Sequence, residues 1–86
     1  MVNYTFVYRC EMKAIQDTIY YRSLSQGRTD VEVWDDRFSE DGWDYFSIVA
    51  FSQGTAKKLA YIRVKSGQLQ RRIYDENGDD HWVEVA

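Results

Sequence analysis

A chain of 86 residues with 44% hydrophobic and 16% aromatic side chains, and a net charge of only -3, has the composition of a folded domain and excludes an intrinsically disordered segment. Cys10 is the one cysteine, which excludes an intramolecular disulfide framework and points to a reducing, cytoplasmic location. A chain this short buries only about 60 to 65% of its unfolded surface, so a single domain over residues 1–86 needs a core of large side chains.

The N-terminal run alternates, with Tyr4, Phe6, Tyr8, Cys10 and Met12 against Asn3, Thr5, Arg9, Glu11 and Lys13, and Val7 as the exception on the polar side. Period two predicts a first strand with one wet face and Cys10 toward the apolar one. It carries no basic segment followed by an apolar one, and no stretch of about 18 apolar residues occurs anywhere, so no membrane partner is expected. The segment from Met12 to Gly27 reads either as a continuation in strands or as a helix with Gly27 just after its end.

Turn signals then recur at "SQGR" 25–28, "SEDG" 39–42, "SQGT" 52–55, "SG" 66–67 and "NG" 77–78, separated by runs rich in Val, Ile, Thr, Tyr, Phe and Trp. This pattern predicts a mostly β fold, a small antiparallel meander forming a curled sheet or a barrel. The alternative is an α+β fold with a helix at about 55–65 packed on an antiparallel sheet, with Ser52 or Thr55 as N-cap and Gly67 as the left-handed cap.

Between Asp30 and Tyr45 the chain places seven acids and a single arginine among two tryptophans, a phenylalanine and a tyrosine. Trp34 and Phe38 share a strand face with Glu32 and Asp36, and if Val31 and Val33 face the core alone, Trp34 looks outward. The next run, Trp43 to Phe51, is apolar on both faces, which suits a central strand.

Pairing Leu59–Lys65 with Gln68–Tyr74 around Ser66-Gly67, and Gln70–Tyr74 with His81–Val85 around a two-residue Asn77-Gly78 turn, sorts the side chains into two sets. Ala60, Ile62, Val64, Leu69, Ile73 and Trp82 form an apolar face on which Arg71 opposes Glu84. Tyr61, Arg63, Lys65, Arg72, Tyr74 and His81 form a basic, aromatic one. From Tyr45 to Tyr74 there are six basic residues and no acid, so charge is segregated along the chain.

Two functions follow. The first is a small protein-interaction module, a regulator or inhibitor that binds a basic site on a larger protein through an acidic aromatic surface of Trp34, Asp35, Asp36, Asp41, Trp43 and Asp44; aromatics anchor interfaces and acids steer a basic partner. The alternative is a single-stranded nucleic-acid binder using Tyr61, Arg63, Lys65, Arg72 and Tyr74, since stacking rings beside cations is how sheet faces hold such strands.

No enzyme, metal or cofactor is expected. His81 has carboxylates nearby but no nucleophile motif, Gly-rich phosphate loop or carboxylate pair beside it. The "DENGDDH" segment has Asp80 where a calcium loop needs glycine and Ala86 where it needs glutamate, and reads as a hairpin tip. An unclosed meander leaves an edge strand that a second copy can pair with, so a symmetric homodimer is a further expected state.

Overall fold

The computed structural model describes residues 4–85, with side chains from Cys10 onward. Two helices, α1 (Tyr4–Gln16) and α2 (Ile19–Ser25), precede five strands: β1 (Val31–Glu40), β2 (Trp43–Ser52), β3 (Thr55–Lys65), β4 (Gln68–Tyr74) and β5 (Asp80–Glu84). The strands form one antiparallel sheet in chain order, with β1 and β5 as its edges. The meander is therefore open, a curled sheet and not a barrel.

One element differs from the expectations above, and two open alternatives are decided. The N-terminal run is helix α1, not a strand. Tyr4, Tyr8 and Met12 lie four apart, a spacing that suits period two and period 3.6 alike, and Val7 and Ile15 fit only the helical phase. Cys10 is consequently exposed on a helix. The segment 55–65 is strand β3 and not a helix, whereas 12–27 is helical, with a break at Asp17-Thr18. Thr18 makes the break, because its hydroxyl donates to the Ile15 carbonyl at 2.7 Å and accepts the Tyr21 amide at 3.0 Å as the N-cap of α2.

The helices cover one face of the sheet. Ile15 from α1 is 1% exposed and packs with Val33, Phe46, Ile48, Ala60, Ile62 and Val64, bordered by Met12, Tyr20, Tyr21 and Leu24. Tyr21 also ties α2 to β1, its hydroxyl donating to the Val31 carbonyl at 3.1 Å.

Three hairpins turn on two residues with positive φ, namely Asp41-Gly42, Gln53-Gly54 and Ser66-Gly67. This is the type I′ geometry that matches strand twist. The fourth differs: in the Asp75–Asp79 tip only Gly78 has positive φ, 83°. The Asp75 amide donates to the Asp79 carbonyl at 2.9 Å, and the Asp75 side chain accepts the Asn77 and Asp79 amides at 2.9 and 3.0 Å. Asp75 thereby imposes a three-residue loop in place of the two-residue turn expected at Asn77-Gly78.

That extra residue slips β5 by one position against β4. Arg71 now opposes Val83, Arg72 opposes Trp82 and Ile73 opposes His81. A one-residue slip exchanges the two faces of a strand, so Trp82 and Glu84 leave the helix-covered side and His81 leaves the basic, aromatic one. Arg71, deprived of Glu84, stacks on the Tyr20 ring of α2 at 4.8 Å.

Candidate functional interface

Among the described residues, no helix lies over the other face of the sheet. Alternation directs Trp34, Asp36 and Phe38 of β1 to this side with Trp43, Tyr45, Ser47, Val49 and Phe51 of β2, Lys58, Tyr61, Arg63 and Lys65 of β3, Arg72 and Tyr74 of β4 and Trp82 of β5. Trp34 is 36% exposed, Phe38 53% and Tyr74 60%, whereas Ser47 and Val49 are buried beneath these larger neighbours.

Two bulges shape this face. In β1, the three residues Asp36, Arg37 and Phe38 stand against Tyr45 alone. Arg37 adopts φ 56°, and its amide donates to the Asp35 carboxylate at 2.7 Å, so the side chain of Asp35 builds the irregularity. In β3 the register shifts opposite Ile48 and Val49, which lets the consecutive residues Leu59 and Ala60 both reach the core and keeps Lys58 on the open face.

Cations and rings are interleaved at the centre. The Arg63 guanidinium lies 4.2 Å from the Trp43 ring centroid and 4.5 Å from that of Trp82, while its Nε donates to Gln70 at 2.8 Å. Arg72 lies over Tyr61 and Tyr74 at 5.6 and 5.2 Å and pairs with Asp80. Trp82 meets Tyr45 edge-on, and Tyr45 in turn meets Phe38, at centroid separations of 5.7 and 5.1 Å. Such contacts contribute on the order of 0.5 to 2 kcal/mol each and fix the rings in place.

The structure brings together residues from both sets expected above. Trp34, Asp36 and Trp43 share the open face with Tyr61, Arg63, Lys65, Arg72 and Tyr74. It separates Asp35 and Asp44, which alternate onto the helix-covered side, where Asp44 accepts the Ser39 hydroxyl. Asp41 sits in the β1–β2 turn, its carbonyl accepting Lys65 Nζ at 2.9 Å. Asp36 stays on the open face and accepts the Ser47 hydroxyl at 2.8 Å.

On the helix-covered side a second charged group stands out. Burial first, then the neighbouring Asp44, then Asp35, push the Glu11 carboxyl up to about 7. Its Oε2 is buried without a hydrogen-bond partner among the described residues.

The open face also contains a cleft of about 420 Å³, walled by Phe38, Tyr45 and Trp82 and by the polar side chains of Asp36, Lys58, Tyr61 and Arg72. Four of these, Phe38, Tyr45, Lys58 and Trp82, fell outside both expected sets. Tyr45 and Phe38 are two and four residues along the same strand faces as Trp43 and Trp34, a period-two signal already present in the sequence. Lys58 and Trp82 depend on a bulge and on a loop length.

Acids flank this centre, with Glu32, Asp36 and Glu40 along β1 and Asp80 and Glu84 along β5. Glu84 accepts hydrogen bonds from the side chains of Gln68 and Gln70, which hold its carboxyl below the usual range. The face is thus cationic and aromatic in the middle and anionic at both rims. Among the described residues no helix is long and apolar enough to cross a membrane, and no three His, Cys, Asp or Glu side chains converge as metal ligands. No protein-family model matches the chain, nor does any curated protein or solved structure.

Proposed function

We propose that this protein is a small cytoplasmic interaction module, a regulator or inhibitor without catalytic activity of its own, that docks a partner protein on the helix-free face of its sheet. The observation that carries this reading is the concentration of Trp34, Trp43, Tyr45, Tyr61, Trp82, Arg63 and Arg72 on one uncovered surface. Trp, Tyr and Arg are the side chains that dominate interface energetics, and rings already held in place by their neighbours lose little freedom on binding. Rim acids favour a partner whose contact surface is basic at its periphery, and they raise its association rate at low salt.

The test compares capture from a lysate of the source organism by wild-type protein and by the Trp34→Ala/Phe38→Ala variant, both folded by circular dichroism. A protein held by the wild type, lost by the variant and released as salt is raised is the expected result. The same proteins retained by both would overturn the reading.

A second reading, single-stranded nucleic-acid binding, is favoured by one observation: Tyr61, Arg63, Lys65, Arg72 and Tyr74 all share the open face. It is the weaker one, because Arg63 and Arg72 are engaged with rings and Asp80, and the anionic rims oppose phosphates. Fluorescence anisotropy with labelled oligonucleotides at low ionic strength decides it; no change in signal removes it.

A further inference from the structure

The cleft on the open face combines two features that ask for a ligand of particular chemistry. Arg72 pairs with Asp80 through its Nη2, while its Nε is buried and has no hydrogen-bond partner among the described residues. The Arg72 side chain as a whole is still one-third exposed, so the guanidinium can take a second anionic oxygen from the cleft beside Asp80. Lys58, across the cleft, is exposed and forms no ion pair among the described residues; its ammonium lies 5.2 Å from the Tyr61 ring centroid.

The charge of the ligand follows from the neighbours. Lys58 and Arg72 are offset by Asp36 in the cleft wall and Asp80 beside it, so the site tolerates one negative charge far better than the two of a phosphate monoester. Phe38, Tyr45 and Trp82 supply the apolar wall that a flat ring requires. Asp36, besides accepting from Ser47, has acceptor capacity left for a backbone N–H. A cleft of about 420 Å³ is at the small end of ligand pockets and suits one large residue.

We propose that the cleft receives an aromatic residue at the C-terminus of a partner chain, its ring against Phe38, Tyr45 and Trp82 and its terminal carboxylate on the Lys58 ammonium and the Arg72 guanidinium. This deepens the docking reading above and rests on it.

The probes are N-acetyl-phenylalanine, which carries the free carboxylate, its neutral primary amide, and uridine monophosphate, titrated into ¹⁵N-labelled protein. The acid is expected to shift the Arg72 Nε–Hε and Trp82 indole signals saturably, to bind about tenfold tighter than the amide, and to weaken several-fold in both Arg72→Ala and Lys58→Ala. Equal binding of acid and amide, no saturable shift at millimolar acid, or tighter binding of the nucleotide would each overturn the proposal. The two readings separate cleanly: loss of partner capture in Trp34→Ala/Phe38→Ala but not in Lys58→Ala or Arg72→Ala removes the carboxylate anchor and leaves the docking face standing.

Discussion

At the scale of single residues, Glu11 couples the packing of α1 to pH. Its carboxyl lies against Asp44 and Asp35 and is held up near 7 by burial and by those acids, whereas in the unfolded chain it titrates near 4.5. The folded state therefore binds this proton more tightly, so the contribution of Glu11 to stability is full below about pH 4.5 and is lost as pH rises through about 7. Glu11→Gln removes the charge and keeps the shape. The variant is expected to be more stable than wild type by about 1 kcal/mol at pH 8, after allowance for solvent screening, with the difference gone at pH 4; urea denaturation across that range checks it. Single residues also show what a sequence can and cannot disclose. The outward aim of Trp34 was legible because Val31 and Val33 satisfy the core on the other parity, and Val33 is 5% exposed. The location of Trp82 was not, since it depends on the length of a loop several residues away.

At the scale of elements, that loop is decided by Asp75. Asn77-Gly78 is the strongest two-residue hairpin signal in the chain, yet the three turns that adopt the type I′ form are Asp41-Gly42, Gln53-Gly54 and Ser66-Gly67. A carboxylate two residues ahead of Asn77 captures two backbone amides and outweighs the local dipeptide preference. Asp75→Ala is expected to cost about 1 kcal/mol and Asp79→Ala no more than a few tenths, because the tip uses the carbonyl of Asp79 and not its side chain; thermal denaturation of both variants distinguishes them. Helix α1 teaches a related lesson. Spacings of four residues satisfy both periodicities, so nine residues of apparent alternation were insufficient, and the departure at Val7 carried the information. The β3–β4 hairpin was legible because Ala60, Ile62, Val64 and Leu69 on one parity and Tyr61, Arg63, Lys65 and Arg72 on the other leave only one register that keeps them apart.

At the scale of the molecule, both edges of the open sheet are poor templates for another strand. The three-against-one bulge interrupts β1 at Asp36–Phe38, and β5 has only five residues, with Asp80 and Glu84 on the open face. Sedimentation at micromolar concentration is accordingly expected to give a monomer; a stable dimer would mean that one edge pairs despite these obstacles. The candidate interface was half legible at this scale: its aromatic and basic members were identifiable by strand parity, but the merging of two separate sets onto one face required the hairpins to be folded together. The chain-order arrangement of the sheet has one more consequence, for how the molecule forms. Because every strand pairs only with its immediate neighbours in sequence, each hairpin closes a short loop, and the entropy lost in bringing its strands together is small. The sheet can grow outward from the β2–β3 hairpin one strand at a time, so folding should be fast for an antiparallel sheet of this size, with closure of the Asp75–Asp79 tip among the late steps.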